Sequence, residues 1–418
     1  MSYFNSHRQT LRISLAVPLF GFSLLSHALT FDEALNLAES HAPELKAQSA
    51  KVASAQALKR SAGQLPDPKL ELGIENFPIN GAEQYSLTQD PMTMRKIGLM
   101  QEFPNERKRK AAADAAQAGA DVAATQMQIE KLNVLKETAS AWIERDAIER
   151  ELKLVGSLNQ ENRLFDAAVQ AKISSGKGSL ADGLIPRQEA VAIDDLESEL
   201  IARRSKAIVE LERWIGKAAD EPLEGSVPDW PVEQSMLSHE LHRHPELMLF
   251  DSRGRELDAE VNEEKADKIP DWGVELAYQQ RAPQFGNMAS IQFTFGLPVF
   301  SESRQDPRIF AKMAEKEALD AEREATIREH NAMLESDIAE YQRLKDTLKR
   351  QKEVLLPLSD EKIKLTLADW KAGKASLADL ASARRERIET EIKTIEIQSS
   401  LNLVAVRLHY TNFPGAKP

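Results

Sequence analysis

The chain matches itself at an offset of about 200 residues, and such internal repetition restricts the architecture before any element is assigned. Pro43-Glu44-Leu45 returns as Pro245-Glu246-Leu247. Pro66-Asp67, followed by Leu70, Leu72 and Ile74 at alternate positions, returns as Pro270-Asp271 followed by Trp272, Val274, Leu276 and Tyr278. A second alternating run, Ile97, Leu99 and Gln101 closed by Phe103-Pro104, corresponds to Ile291, Phe293 and Phe295 closed by Leu297-Pro298. Finally, Gly176-Lys177-Gly178-Ser179-Leu180-Ala181-Asp182 corresponds to Gly373-Lys374-Ala375-Ser376-Leu377-Ala378-Asp379. The landmarks keep one order in both halves, so each half reads as helix, strand, loop, strand, very long helix, Gly turn and returning helix.

The first repeat is expected over 29–220, with strands near 68–77 and 92–103 and a helical hairpin over 105–216. A linker follows at 221–232, where Pro222, Gly225, Pro228 and Pro231 break the helical pattern. The second repeat covers 233–412, with strands near 271–280 and 289–298 and a hairpin over 302–411. A helix from about Asn105 to Ile173 would be roughly 100 Å long at 1.5 Å per residue, too long for an ordinary globular core. Aromatics at 6% and charged residues at 29% fit long helices better than a compact core. Coiled-coil spacing recurs at Leu132, Leu135, Ala139 and Trp142, at Leu334, Ile338 and Tyr341, and at Ile388, Ile392 and Ile395. Ala111, Ala112, Ala113, Ala115, Ala116, Ala118, Gly119 and Ala120 allow a neighbour to approach closely. Pro357 should open or bend the second long helix, because proline removes a donor and crowds the preceding turn. Pro186 is milder if it lies in the first turn of its helix.

Residues 1–28 have the order of a cleaved export signal: basic His7, Arg8 and Arg12, an apolar run from Ile13 to Leu25, then Ser26-His27-Ala28. That run is too short for a membrane helix, and no later segment has the apolar length of one, so membrane entry would require a β-barrel. The sequence has no cysteine, which excludes disulfides, thiolate metal sites and a cysteine-linked lipid. Lys and Arg number 54 against 66 Asp and Glu, a formal charge of −12, so no general attraction to nucleic acid is expected. The basic run Arg107 to Lys110 reads as a solvated helix face.

Alternation in the four short strands fits outer-membrane barrel strands and also two hairpins of a soluble sheet. Arithmetic favours the barrel. The smallest membrane barrels have about eight strands, more than one chain supplies, whereas three chains would supply twelve.

With these landmarks the chain resembles the TolC family of trimeric outer-membrane efflux proteins over residues 30–412. The stretch Leu65-Pro66-Asp67-Pro68, Glu75-Asn76-Phe77, Met92-Thr93-Met94-Arg95 and Gln101-Glu102-Phe103-Pro104 is more similar to its heavy-metal branch, the cobalt, zinc and cadmium efflux proteins of CzcC type. The resemblance implies a mainly α fold with a small β part. Long helical hairpins would form a periplasmic tunnel, and four strands per protomer would join a twelve-stranded transmembrane barrel in the outer membrane. It further implies a homotrimer in outer-membrane lipid, a periplasmic adaptor and an inner-membrane pump as partners, and heavy-metal cations as cargo. No enzymatic role is expected. A periplasmic coiled-coil adaptor or scaffold is one alternative, although an adaptor should have one hairpin flanked by larger β domains, and a duct for organic drugs instead of metals is another.

Gly176-Lys177-Gly178-Ser179 lacks the earlier glycine and preceding strand of a phosphate loop and reads as a hairpin turn. No cofactor or catalytic set is expected. His239, His242 and His244 form a cluster read as surface or capping residues, with a transport-relevant metal site as the lesser alternative; His41, His330 and His409 are solitary, and no metal site is assigned. Asp182 and Asp379 occupy equivalent places beyond the two Gly turns. Capping a helix start is one role for them. The resemblance points to another, a carboxylate ring at a pore constriction, with Asp379 lining the ring, Asp182 holding a hairpin closed, and Lys177 or Lys374 as possible ion-pair partners.

Overall fold

The computed structural model describes residues 28–230, 232 and 244–412. Most of the export signal, His239 and His242 therefore lie outside the described residues. The chain is mostly helical. In order it forms α1 (Phe31–His41), α2 (Pro43–Ser61), β1 (Lys69–Glu75), β2 (Met94–Phe103), α3 (Glu106–Ser174), a 3-10 turn (Leu180–Gly183), α4 (Leu184–Ile215) and a second 3-10 turn (Gly216–Asp220). The second half repeats the plan as α5 (Pro245–Ala266), β3 (Trp272–Gln280), β4 (Met288–Phe295), α6 (Ser301–Arg350), a π-turn (Gln351–Leu355), α7 (Leu356–Lys371) and α8 (Leu377–Asn412). Helix α3 has 69 residues and so reaches roughly 100 Å.

The helix starts follow from local chemistry. Thr30 and Glu33 form a reciprocal capping box on α1, and proline at the first position begins both α2 and α5. At the start of α3, the Asn105 side chain accepts from the Lys108 backbone N–H at 2.9 Å. The small side chains that follow let two helices in. Ala111, Ala118, Ala120 and Ala123 are buried, a β-carbon on Gly119 would stand 3.2 Å from Glu256 on α5, and Gln48 of α2 donates to the Ala123 carbonyl. Gly63, at φ +72°, ends the α2 segment where a β-carbon would stand 2.6 Å from the Arg109 carbonyl oxygen, so only glycine fits.

Pro357 is accommodated by widening the helix just before it. Residues Gln351–Leu355 form a π-turn in which the Leu356 N–H reaches back to the Gln351 carbonyl. Pro186 lies in the first turn of α4, and its carbonyl accepts from Asn162 of α3 at 2.8 Å.

The described strands form one antiparallel sheet in the order β1-β2-β3-β4, so the two halves join at β2 and β3. Across it, Leu70, Leu99, Leu276 and Ile291 are in register, as are Leu72, Ile97, Tyr278 and Ala289. β1 and β4 are left as free edges among the described residues.

At the root of the hairpins, a core gathers Phe31, Leu35, Val134, Trp142, Ile143, Leu211, Ile215, Val406 and Tyr410. The stretch 221–230, expected as a linker, packs against this core. Leu29 exchanges backbone bonds with Pro222 and Glu224, and Trp230 stacks on His409 with ring centres 4.7 Å apart. Arg145 is wholly buried beneath it, donating to the Ala219 carbonyl, to Glu221 O at 2.6 Å and to Glu149 at 2.9 Å.

Candidate functional site

The sheet has two chemically different faces. Leu70, Leu72, Ile74, Ile97, Leu99, Leu276, Tyr278, Ile291, Phe293 and Phe295 share one face and are all exposed, Leu72 at 71%. An apolar patch of this extent marks a contact with a partner or a membrane. Near the end adjoining the helices, Phe103 and Trp272 stack with centres 4.3 Å apart. The other face is polar. Lys96 reaches Glu71 at 3.2 Å, Glu75 at 3.5 Å and Glu275, while Gln279 donates to Ser290 at 2.7 Å. Period-2 alternation with one apolar and one polar face is what a strand between lipid and a wet lumen requires.

At the far end, the two hairpin turns are built alike. Gly176 and Gly373 take φ +72° and +75°. The N–H of Lys177 bonds to the Lys172 carbonyl and that of Lys374 to the Asp369 carbonyl, closing each helix through a left-handed glycine. A Ser-x-x-Asp capping box then starts each return. The Asp182 carboxylate accepts from Ser179 N at 2.9 Å; that of Asp379 accepts from Ser376 N at 2.9 Å and Ser376 Oγ at 2.6 Å. The two Ser376 bonds hold the exposed Asp379 carboxyl below the usual aspartate range. Within one chain the two aspartates are brought to the same end of the molecule, and each has serine as its partner.

Sequence reasoning missed the groups that join the two tips. Phe165 and Val169 of α3 pack with Leu377 and Leu380 of α8. Lys172 donates to the Trp370 carbonyl at 3.3 Å and lies over its ring at 4.1 Å. Arg384 of α8 lies 3.5 Å from Glu189 of α4, both largely buried, and sits over the Phe165 ring. The sequence marked none of these, because each pair meets only once one hairpin lies against the other.

A third cluster lies near the hairpin root. His244 caps α5, its Nδ1 accepting the Glu246 N–H at 3.3 Å, so the capping reading holds for this histidine. His330, expected to be solitary, comes from α6 to place Nε2 2.6 Å from Glu246 Oε2, and the two imidazoles are 4.8 Å apart. Burial pushes the His244 pKa down to about 4, and the bond from His330 holds Glu246 below its ordinary value. A separation of 84 positions between Glu246 and His330 kept this contact from view in the sequence.

No protein-family model matches the chain, and no curated protein matches it in sequence. Solved structures do resemble it. The outer membrane protein VceC of Vibrio cholerae superposes with a TM-score of 0.76 at 15% identity, covering 91% of this chain and 95% of that one. CusC, described through its folding and transmembrane channel formation, gives 0.79 at 13% identity, with 92% of each chain covered. The CmeC outer membrane channel of Campylobacter jejuni gives 0.77 at 11% identity, covering 93% and 87%. At these identities the likeness shows the fold, which is the one these outer-membrane proteins share from end to end.

Proposed function

We propose that three copies of this chain form one outer-membrane efflux duct that conducts passively, carries out no catalysis, and receives its cargo from a periplasmic adaptor and an inner-membrane pump. The observation that carries this reading is the sheet. Its apolar face is exposed, its polar face is lined with paired charges, and its edges β1 and β4 are unpaired among the described residues, so neighbours would have to supply the closing strands. Three chains give twelve strands, a closed barrel with lipid outside and water inside. The helices also present apolar positions that a neighbouring copy would cover. Leu184, Val191 and Val209 lie within about 20° of one another on α4 and are exposed, as are Leu358 and Leu365 on α7, seams left uncovered among the described residues. The outer-membrane neighbours in fold agree with this location.

In such a trimer each hairpin aspartate becomes a ring of three, and rings of carboxylates favour cations. Asp379 is assigned to the periplasmic constriction and Asp182 to closure of the adjoining hairpin. Heavy-metal cations are the proposed cargo, supported by the resemblance of residues 65–104 to the metal-exporting branch.

Purified protein in planar bilayers should give cation-selective channels. Asp379→Ala should lower selectivity and weaken block by multivalent cations, and Asp182→Ala should raise the open fraction. A preparation that never conducts would overturn the duct; variants that conduct like the parent would move the constriction elsewhere. For the cargo, a strain lacking the protein should lose tolerance to zinc, cobalt or cadmium. Sensitivity to organic drugs alone would replace metal by drug.

A further inference from the structure

His244, Glu246 and His330 offer two imidazoles and one carboxylate whose ligand atoms all lie within 4.8 Å of one another. A tetrahedral ion with bonds near 2.0 Å needs its ligands about 3.3 Å apart, so small side-chain rotations would complete the set. Both imidazoles are buried while the carboxylate is accessible, as expected of a pocket entered from one side. Among the described residues His330 Nδ1 is buried without a hydrogen-bond partner, and Glu246 is the polar group bonded to that ring. His244 is held by the first turn of α5. The cluster opens on a groove of about 520 Å³ whose wall also carries Glu329 and Met333 of α6, Lys136 of α3 and Tyr410 of α8.

We propose that His244, Glu246 and His330 bind one divalent transition-metal ion of the Zn²⁺ or Ni²⁺ class, with water filling the remaining coordination from the groove. Two imidazoles and a carboxylate suit these ions and do not suit Mg²⁺ or Ca²⁺, which take oxygen ligands. The bound ion ties α5, which leads into β3, to α6, which follows β4. It therefore braces the helices beneath the second strand pair, and it rests on this geometry whatever cargo the duct carries. The site belongs to one half only: where the second repeat has His244 before Pro245-Glu246, the first has Ala42 before Pro43-Glu44. Charge at the groove favours a cation, since Glu246 and Glu329 outnumber Lys136, and Lys136 is the group that opposes binding.

The test uses tag-free, full-length protein in detergent, stripped with chelator and titrated with Zn²⁺ or Ni²⁺ against a chromophoric competitor. The parent should take up one tight equivalent per chain and leave Mg²⁺ unbound. His330→Gln and Glu246→Gln should each lower that affinity by at least about tenfold, the loss that follows even from removing a supporting partner of a ligand. Lys136→Gln, which removes no ligand, should raise it severalfold. Equal affinity in the parent and His330→Gln, or no stoichiometric uptake, would overturn the site. Unchanged or weakened binding in Lys136→Gln would overturn the placement of the ion beside that lysine.

Discussion

The backbone N–H of Asn105 donates to the Asp271 carboxylate at 2.7 Å, so the second residue after β2 in one repeat is fastened to the residue before β3 in the other. The Asn105 side chain adds bonds to Asp271 Oδ1 at 3.1 Å and to the carbonyls of Ala266 and Ile269, and Lys108 pairs with Asp267 at 2.7 Å. These contacts lie where the sheet meets the long helices. They fix the angle at which the sheet stands on the helical part.

Asn105→Ala removes the cap of α3 and strands two carbonyls, which should cost about 1–3 kcal/mol. Asn105→Asp keeps a capping oxygen but sets a carboxylate against Asp271, and should be no better than alanine. Thermal unfolding in detergent checks both; an Asn105→Ala midpoint equal to that of the parent would show that the junction is held by packing alone.

Arg145→Met should destabilise the hairpin root by about 2–4 kcal/mol, because the apolar side chain fills much of the space and leaves the Ala219 and Glu221 carbonyls without their donor. Limited proteolysis should then cut within 221–230, where the parent resists.

Leu276→Arg places a charge on the apolar face of the sheet and should cost about 2–4 kcal/mol if the residue stands near the bilayer midplane. Gln292→Arg, on the opposite face, should insert normally and alter conductance. Folding yield into lipid vesicles compares the two. Equal yields would contradict the lipid-facing assignment of the apolar face.

Acid should loosen the tip of the second hairpin. The folded pKa of Asp379 lies below its ordinary value of 3.8, so its cap contributes fully above that value and is lost as the pH falls through the folded pKa. Hydrogen exchange at Ser376 to Leu380 should therefore be slow at neutral pH, relative to the unfolded chain, and lose protection below about pH 4. Asp379→Asn should lack that acid step, having less protection from the outset.

The paired landmarks made the long hairpins and four strands legible, because glycine turns, strand alternation and proline breaks act within a few residues. The same locality explains what was missed. Glu189 and Arg384 carry no signal until α4 lies beside α8. His330 looked solitary because its partners come from another helix. The stretch 221–230 looked like a spacer because its prolines exclude a helix, while Leu223 and Trp230 gave too little pattern to reveal that they pack against the core.

Closure of the sheet by neighbouring copies is the central claim, and the cysteine-free sequence allows a direct measurement. Leu72→Cys on β1 is combined in turn with Ala289→Cys, Ile291→Cys or Phe293→Cys on β4. Within one chain these edges are three strand spacings apart, about 14 Å, beyond disulfide reach. Oxidation of protein in outer membranes should give covalent dimers and trimers for the pairing that falls in register, with the ladder ending at three. A ladder that runs past three, or monomer at every pairing, would contradict the trimeric barrel.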